Sequence, residues 1–166
     1  RSGNIKPGIA NKAIALKLCR NVILKDISIL TGGHFCLLAT GVDNLTIDNL
    51  KLDTNRDGFD IDCCRHVHIS NCSVNSPFDD AIVLKSSYAM GFARFTEDVT
   101  ITNCSVSGFD IGTFLDGTYK RENEAKVPDR GVVTGRIKFG TESNGGFRNI
   151  TISNCTFEFC RGLALE

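Results

Sequence analysis

RNVILKDISI (20–29), DNLTIDNLKL (43–52), RHVHISNCSV (65–74), EDVTITNCSV (97–106) and RNITISNCTF (148–157) are five versions of one stretch of sequence. Superimposed, they share Asn, Asp or His, then apolar, any, apolar, any, Asn or Asp, apolar, any, apolar. The first three begin at 20, 43 and 65, and a recurrence of that length predicts a solenoid. In a solenoid each repeat is one rung, and the core exists only once rungs stack.

The alternation of apolar and polar residues has period two, which is strand and not helix. In the third repeat the apolar set is Val67, Ile69, Cys72 and Val74, and the alternation breaks at Asn71. Asn tolerates the left-handed backbone that a sharp bend needs. Its counterparts are Asp26, Asn49, Asn103 and Asn154. These five are expected to form a ladder at a corner between two short strands, each rung bonding to the next. A further strand follows after a short gap: HFCLLAT (34–40), DGFDID (57–62), DDAIVLK (79–85), GRIKFGT (135–141) and RGLALE (161–166). Three short strands in about 22 residues describe an all-β fold, a right-handed parallel β-helix, the hand following the general rule for parallel crossovers.

The 166 residues are expected to be a single β-helix domain over 1–166, incomplete at both ends and part of a longer protein. Repeat spacing stretches where SYAMGFARFTE (87–97) and an insertion at about 108–134 intervene. Solenoids place insertions on one face, frequently the binding face. Lys plus Arg equals Asp plus Glu, 19 against 19, so no charge excess recruits nucleic acid or an acidic membrane. No apolar run is long enough to span a bilayer, and RSGNIKPGIA (1–10) lacks the layout of a signal peptide. Cys72, Cys104 and Cys155 share one repeat position, where the first two repeats have Ile27 and Leu50. That column should be interior, with cysteine as a small apolar filler. Side chains stacked about 4.8 Å apart do not suit a disulfide, whose Cβ atoms lie about 3.8 Å apart.

Asp57 and Asp80 each precede the second strand of adjacent rungs and align as DGF and DAI, with Asp79 beside Asp80. Stacked carboxylates repel each other's ionised form and raise at least one pKa, as general acid–base chemistry at mild pH requires. A three-Asp cluster on a flat β-helix face suits a polysaccharide lying along a groove. Two other readings stay open on these residues: Asp-Gly and Asp-Asp as ordinary turns, and in-register carboxylates as a calcium site.

NRDGFDID (55–62) followed by SPFDDAIVLKS (76–86) resembles the NTDG and DDCIAIKS motifs of glycoside hydrolase family 28, the polygalacturonase-like family. GRIKFGTESNGGFRNITISNC (135–155) resembles a later segment of its bacterial members. The resemblance implies a pectin-lyase-like β-helix that hydrolyses pectic or related plant or algal glycosidic bonds with inversion. It implies no metal and no cofactor. Asp79 would be the general acid, and Asp57 and Asp80 would hold and activate water on the opposite face. The family histidine would fall at Gly135 or near Gly112, neither of which is His, and His66 and His68 belong to a strand repeat. The family Arg-Ile-Lys would fall on Ala164-Leu165-Glu166, while the literal string Arg136-Ile137-Lys138 is placed on the preceding rung. Missing cations there point toward a neutral sugar or a differently branched pectic chain. Candidate substrate-binding residues are Asp60 and Asp62, expected to face outward beside Asp57, with Lys85, Arg136, Lys138, Glu142 and Glu166. Asp110 and Asp116 are weaker candidates. The expected partner is a polysaccharide or oligosaccharide, with no nucleic acid, no membrane insertion and a monomeric full-length protein. By resemblance the protein is secreted, periplasmic or at the cell surface. The alternatives are a calcium-dependent polysaccharide lyase and a non-catalytic carbohydrate-binding or structural β-helix.

Overall fold

The computed structural model describes residues 12–30, 32–121 and 135–165. Every sheet in it is parallel, and strands are numbered in chain order. One sheet stacks β1 (Lys12–Lys17), β4 (Phe35–Thr40), β7 (Phe59–Asp62), β10 (Ile82–Lys85), β13 (Ile137–Phe139) and β16 (Leu163–Leu165). A second stacks β2 (Arg20–Lys25), β5 (Asp43–Asp48), β8 (Arg65–Ser70), β11 (Thr96–Thr102) and β14 (Phe147–Ser153). The third holds β3 (Ser28–Ile29), β6 (Lys51–Asp53), β9 (Ser73–Asn75), β12 (Ser105–Ser107) and β15 (Thr156–Glu158). Each turn of chain contributes one strand to each sheet in order, which is a parallel β-helix. Lys12–Lys17, which lies before the first repeat, pairs with β4 and shows that the stacking extends N-terminal of the repeats.

Inward columns run Leu45, Val67, Val99 and Ile47, Ile69, Ile101 in the second sheet, and Phe59 to Ile82 to Ile137 in the first. These side chains are buried, each removing apolar surface worth about 1.5–3 kcal/mol from water. Cys72 and Cys104 occupy the interior as expected, and all eight cysteines are free thiols. Cys72, Cys104 and Cys155 repeat one contact, each thiol donating to the carbonyl two residues before it.

Asp26, Asn49, Asn71, Asn103 and Asn154 all have φ between 51° and 57°. Asn49 donates to Asp26 at 2.7 Å and Asn103 to Asn71 at 2.6 Å. The ladder is not continuous, because Asn71 donates to Asp48 Oδ1 instead, at 2.7 Å. Asp48, which also accepts from Ser70, competes for the amide as a charged acceptor. A second column of left-handed residues opens the second sheet: Asn21, Asn44, His66, Asp98 and Asn149. Here Asn44 donates to Asn21, Asn149 to Asp98, and His66 Nδ1 lies 3.3 Å from Asp98. His66 is thus a corner residue and His68 is exposed on β8. Beside this column Arg20, Asp43, Arg65, Glu97 and Arg148 stack in register with alternating sign.

Candidate functional site

Register alone brings the acidic residues together. Asp57 and Asp80 sit at the entry to β7 and β10, and the Gly58 amide donates to the Asp80 carbonyl at 3.0 Å. No ordinary turn explains Gly58, since a Cβ there would lie 2.4 Å from the Ala81 carbonyl oxygen. The glycine lets the rung carrying Asp57 lie flat on the rung carrying Asp79 and Asp80. One carboxyl oxygen from each of Asp57, Asp79 and Asp80 lies within 4.8 Å of the others.

Cations surround the three. Arg56 Nε donates to Asp79 Oδ2 at 2.8 Å. Arg136 Nε donates to Asp80 Oδ1 at 2.5 Å, and Lys138 Nζ lies 3.6 Å from Asp80 Oδ2 while donating to Thr141 Oγ1. Lys85 Nζ lies 2.9 Å from Asp60, 3.5 Å from Asp57 and 3.7 Å from Glu142. The three aspartates open into a cleft of about 230 Å³ whose other walls include His34, Phe35, Arg56, Lys85, Lys138 and Thr141.

Burial, then the Asp79 carboxylate, pushes the Asp57 carboxyl up to about 8 against the pull of Lys85. Asp80 is raised by burial, which Arg136 partly offsets. Burial pulls Lys85 down, but Asp60, Asp57 and Glu142 outweigh it and hold the ammonium. A hard divalent cation takes six to eight oxygens. Here ammonium and guanidinium groups already occupy the space beside the carboxylates, so the set does not fit a calcium site.

The string Arg136-Ile137-Lys138 stands on the rung directly after Asp80 and directly before that of Ala164, as the repeat alignment places it, with Lys138 in register with Val83. Its two cations reach Asp80 from the neighbouring rung, while Ala164 on the next rung carries no charge. Ala164 stacks on Lys138 from the far side, and Glu166 lies outside the described residues. Asp60 and Asp62 point away from the core as expected, yet both are buried and neither lines the cleft. Lys85 covers Asp60. Both oxygens of Asp62 accept from Ser87, one from its amide and one from its hydroxyl, anchoring the 87–97 segment. Glu142 is half exposed at the rim. Asp110 and Asp116 lie outside the cleft lining, and Asp116 accepts from Thr118 on its own turn.

The insertion leaves the stack at the third sheet. Asp53 accepts from the amides of Gly112 and Phe114 around the short helix α1 (Thr113–Asp116), and Asn75 holds Phe109 by both its amide and its carbonyl. Residues 122–134 lie outside the described residues. Gly135 then donates to the Asp79 carbonyl at 2.7 Å and delivers Arg136 to Asp80.

His34, Phe35, Arg56 and Thr141 are cleft residues that sequence reasoning missed. The available signal was position: Arg56 sits inside NRDG, and His34-Phe35 stands one rung below Arg56-Asp57. Among the described residues no helix is long and apolar enough to cross a membrane. The model of the family described as Glycosyl hydrolases family 28 matches residues 3–159. No curated protein and no solved structure matches the chain.

Proposed function

We propose, from the premise that the chain belongs to glycosyl hydrolases family 28, that it hydrolyses glycosidic bonds in a pectin-like polysaccharide through Asp57, Asp79 and Asp80. The observation that carries this reading is the convergence of those three carboxyls on one cleft, within 4.8 Å of one another. Hydrolysis needs a proton at the leaving oxygen and a carboxylate that activates water. Asp79 is assigned the first role; it enters the cleft from the flank where Arg56 fixes one of its oxygens. Asp80, oriented by Arg136 and Lys138, takes the second role together with Asp57. All three carboxyls approach one another within 4.8 Å, closer than the roughly 6.5–9.5 Å that separates acid from base in inverting hydrolases. Reading Asp57 and Asp80 as the water-holding pair and Asp79 as the acid therefore follows the order of the family motifs and not this separation.

Lys138 supports an acidic sugar. It lines the cleft, and a sugar carboxylate bound there would share its ammonium with Asp80, 3.6 Å away. The protein is read as a secreted, periplasmic or cell-surface enzyme, monomeric at full length. The test is release of reducing ends from a panel of pectic polysaccharides and oligosaccharides, with the anomer of the first product read by NMR. Inverted product is expected, and Asp79→Asn should lower kcat by at least 100-fold, on the order of the general-acid contribution. An Asp79→Asn enzyme with full rate would remove Asp79 from the acid role. An unsaturated product abolished by chelator would replace hydrolysis with elimination.

A further inference from the structure

Asp60 has a feature that its place behind the cleft does not explain. Its side chain is buried, its Oδ2 accepts from Lys85 at 2.9 Å, and its Oδ1 has no donor among the described residues. A buried acceptor without a donor is costly, and a carboxylate more so. The carboxyl within hydrogen-bonding reach of Asp60 is that of Asp57. Asp57 is itself buried and shares the ammonium of Lys85, at 3.5 Å. Two buried carboxyls thus face one cation. Ionised together, they would leave an uncompensated negative charge and an unsatisfied oxygen in the same place.

We infer that Asp57 and Asp60 hold one proton between them, with Lys85 neutralising the remaining charge, so that Asp60 is a positioning residue that controls when Asp57 can accept a proton. The inference rests on the hydrolase reading only for its consequence in catalysis. In that consequence water forms its bond to the anomeric carbon as the glycosidic bond breaks, and the leaving oxygen takes the proton of Asp79. The proton lost by water goes to the cleft-facing side of the carboxyl cluster. When it lands on Asp57, the proton already there moves to the bare Oδ1 of Asp60. The pair then carries two protons and returns one to solvent after product leaves. The groups facing Asp57 are Asp79 and Asp80 from the entry to β10, Lys85 from its end, and Asp60 on β7. Lys138 and Glu142 face the same cleft from β13 and the segment after it, His34 from just before β4, and Arg56 from beside Asp57. Burial and these neighbouring carboxylates, which raise Asp57, agree with a proton held near neutral pH.

Infrared difference spectroscopy on the wild-type protein tests this without any substrate. A protonated carboxyl band should be present at pH 7 and titrate near pH 8, and its persistence in Asp79→Asn separates it from any band of the general acid. Asp57→Asn and Asp60→Asn should each abolish it at pH 7, and Asp62→Asn, at an equally buried aspartate held by Ser87, should keep it. The pH at which this carboxyl proton is lost should move down by about one unit or more in Asp60→Asn, which removes a like charge. It should move up in Lys85→Met, which removes the opposite one. The same band surviving both Asp57→Asn and Asp60→Asn, or titration midpoints that move the same way in the two charge variants, would overturn the pair. If the band behaves as stated while no polysaccharide is cleaved, the pair stands and the hydrolase reading fails.

Discussion

Gly58 carries no side chain because the rung beside it leaves no room for one. A Cβ there would meet the Ala81 carbonyl oxygen at 2.4 Å and Val74 Cγ1 at 2.5 Å, neither of which is a free chain end. Gly58→Ala should therefore push two rungs apart at the point where Asp57 meets Asp80. A loss of about 1–3 kcal/mol is expected from overpacking, read by urea unfolding, together with activity lower than the stability loss accounts for. An alanine variant as stable and active as wild type would show that the rungs are not in contact there. At this scale Asp57 and Asp80 were legible because both belong to the repeat, and stacking follows from counting. The rung of Arg136 and Lys138 was legible too, because GRIKFGT repeats the strand pattern before RGLALE. Their contact with Asp80 was not, since the spacing between the fourth and fifth repeats absorbs the insertion and the exact register appears in the pairing of Ile82 with Ile137. His34 stands just before β4 and Phe35 begins it, where the alternation has only begun and does not mark which way a side chain points.

The corner columns show why five similar stretches form elements of the same length. A left-handed residue other than Gly costs about 1–2 kcal/mol, and Asn repays part of that through its side-chain bonds to the next rung. Asn103 donates to Asn71 at 2.6 Å across such a corner. Asn103→Gly keeps the backbone conformation accessible and loses only the bond, whereas Asn103→Ala loses the bond and meets the steric penalty. The expected order of melting temperature is wild type, then glycine, then alanine, with alanine down by about 1–2 kcal/mol. An alanine variant that melts above the glycine variant would refute the assignment of strain to this corner. The Asn71 column was readable because it interrupts the apolar alternation. The column of Asn21, Asn44, His66, Asp98 and Asn149 begins a strand without interrupting anything, so sequence alone gave no reason to bend the chain there. The same holds for the alternating charges from Arg20 to Arg148, which become a ladder only once the register is known.

The described residues bury acids in all three sheets, most of them in or beside the first, and the stability of the molecule should report that. Asp57 is pushed up to about 8, and Asp53, Asp60 and Asp80 are raised as well, each chiefly by burial. An acid raised on folding binds its proton more tightly in the native state than in the unfolded chain. Stability from such a group is complete below the unfolded value of about 4 and is lost as pH climbs toward the native value. Lys85, held up by Asp60 and Asp57 against its burial, contributes stability that is lost only at more alkaline pH, outside this window. The melting temperature should therefore be higher at pH 5 than at pH 8.5, by an amount on the order of a few kcal/mol of unfolding free energy. Asp57→Asn removes the most strongly raised of these groups, so its melting temperature should vary less across the same interval while exceeding that of wild type at pH 8.5. Scanning calorimetry at fixed ionic strength decides it. A wild-type protein that gains stability between pH 5 and pH 8.5 would mean that the cations around the cleft, and not burial, govern the protonation of its acids.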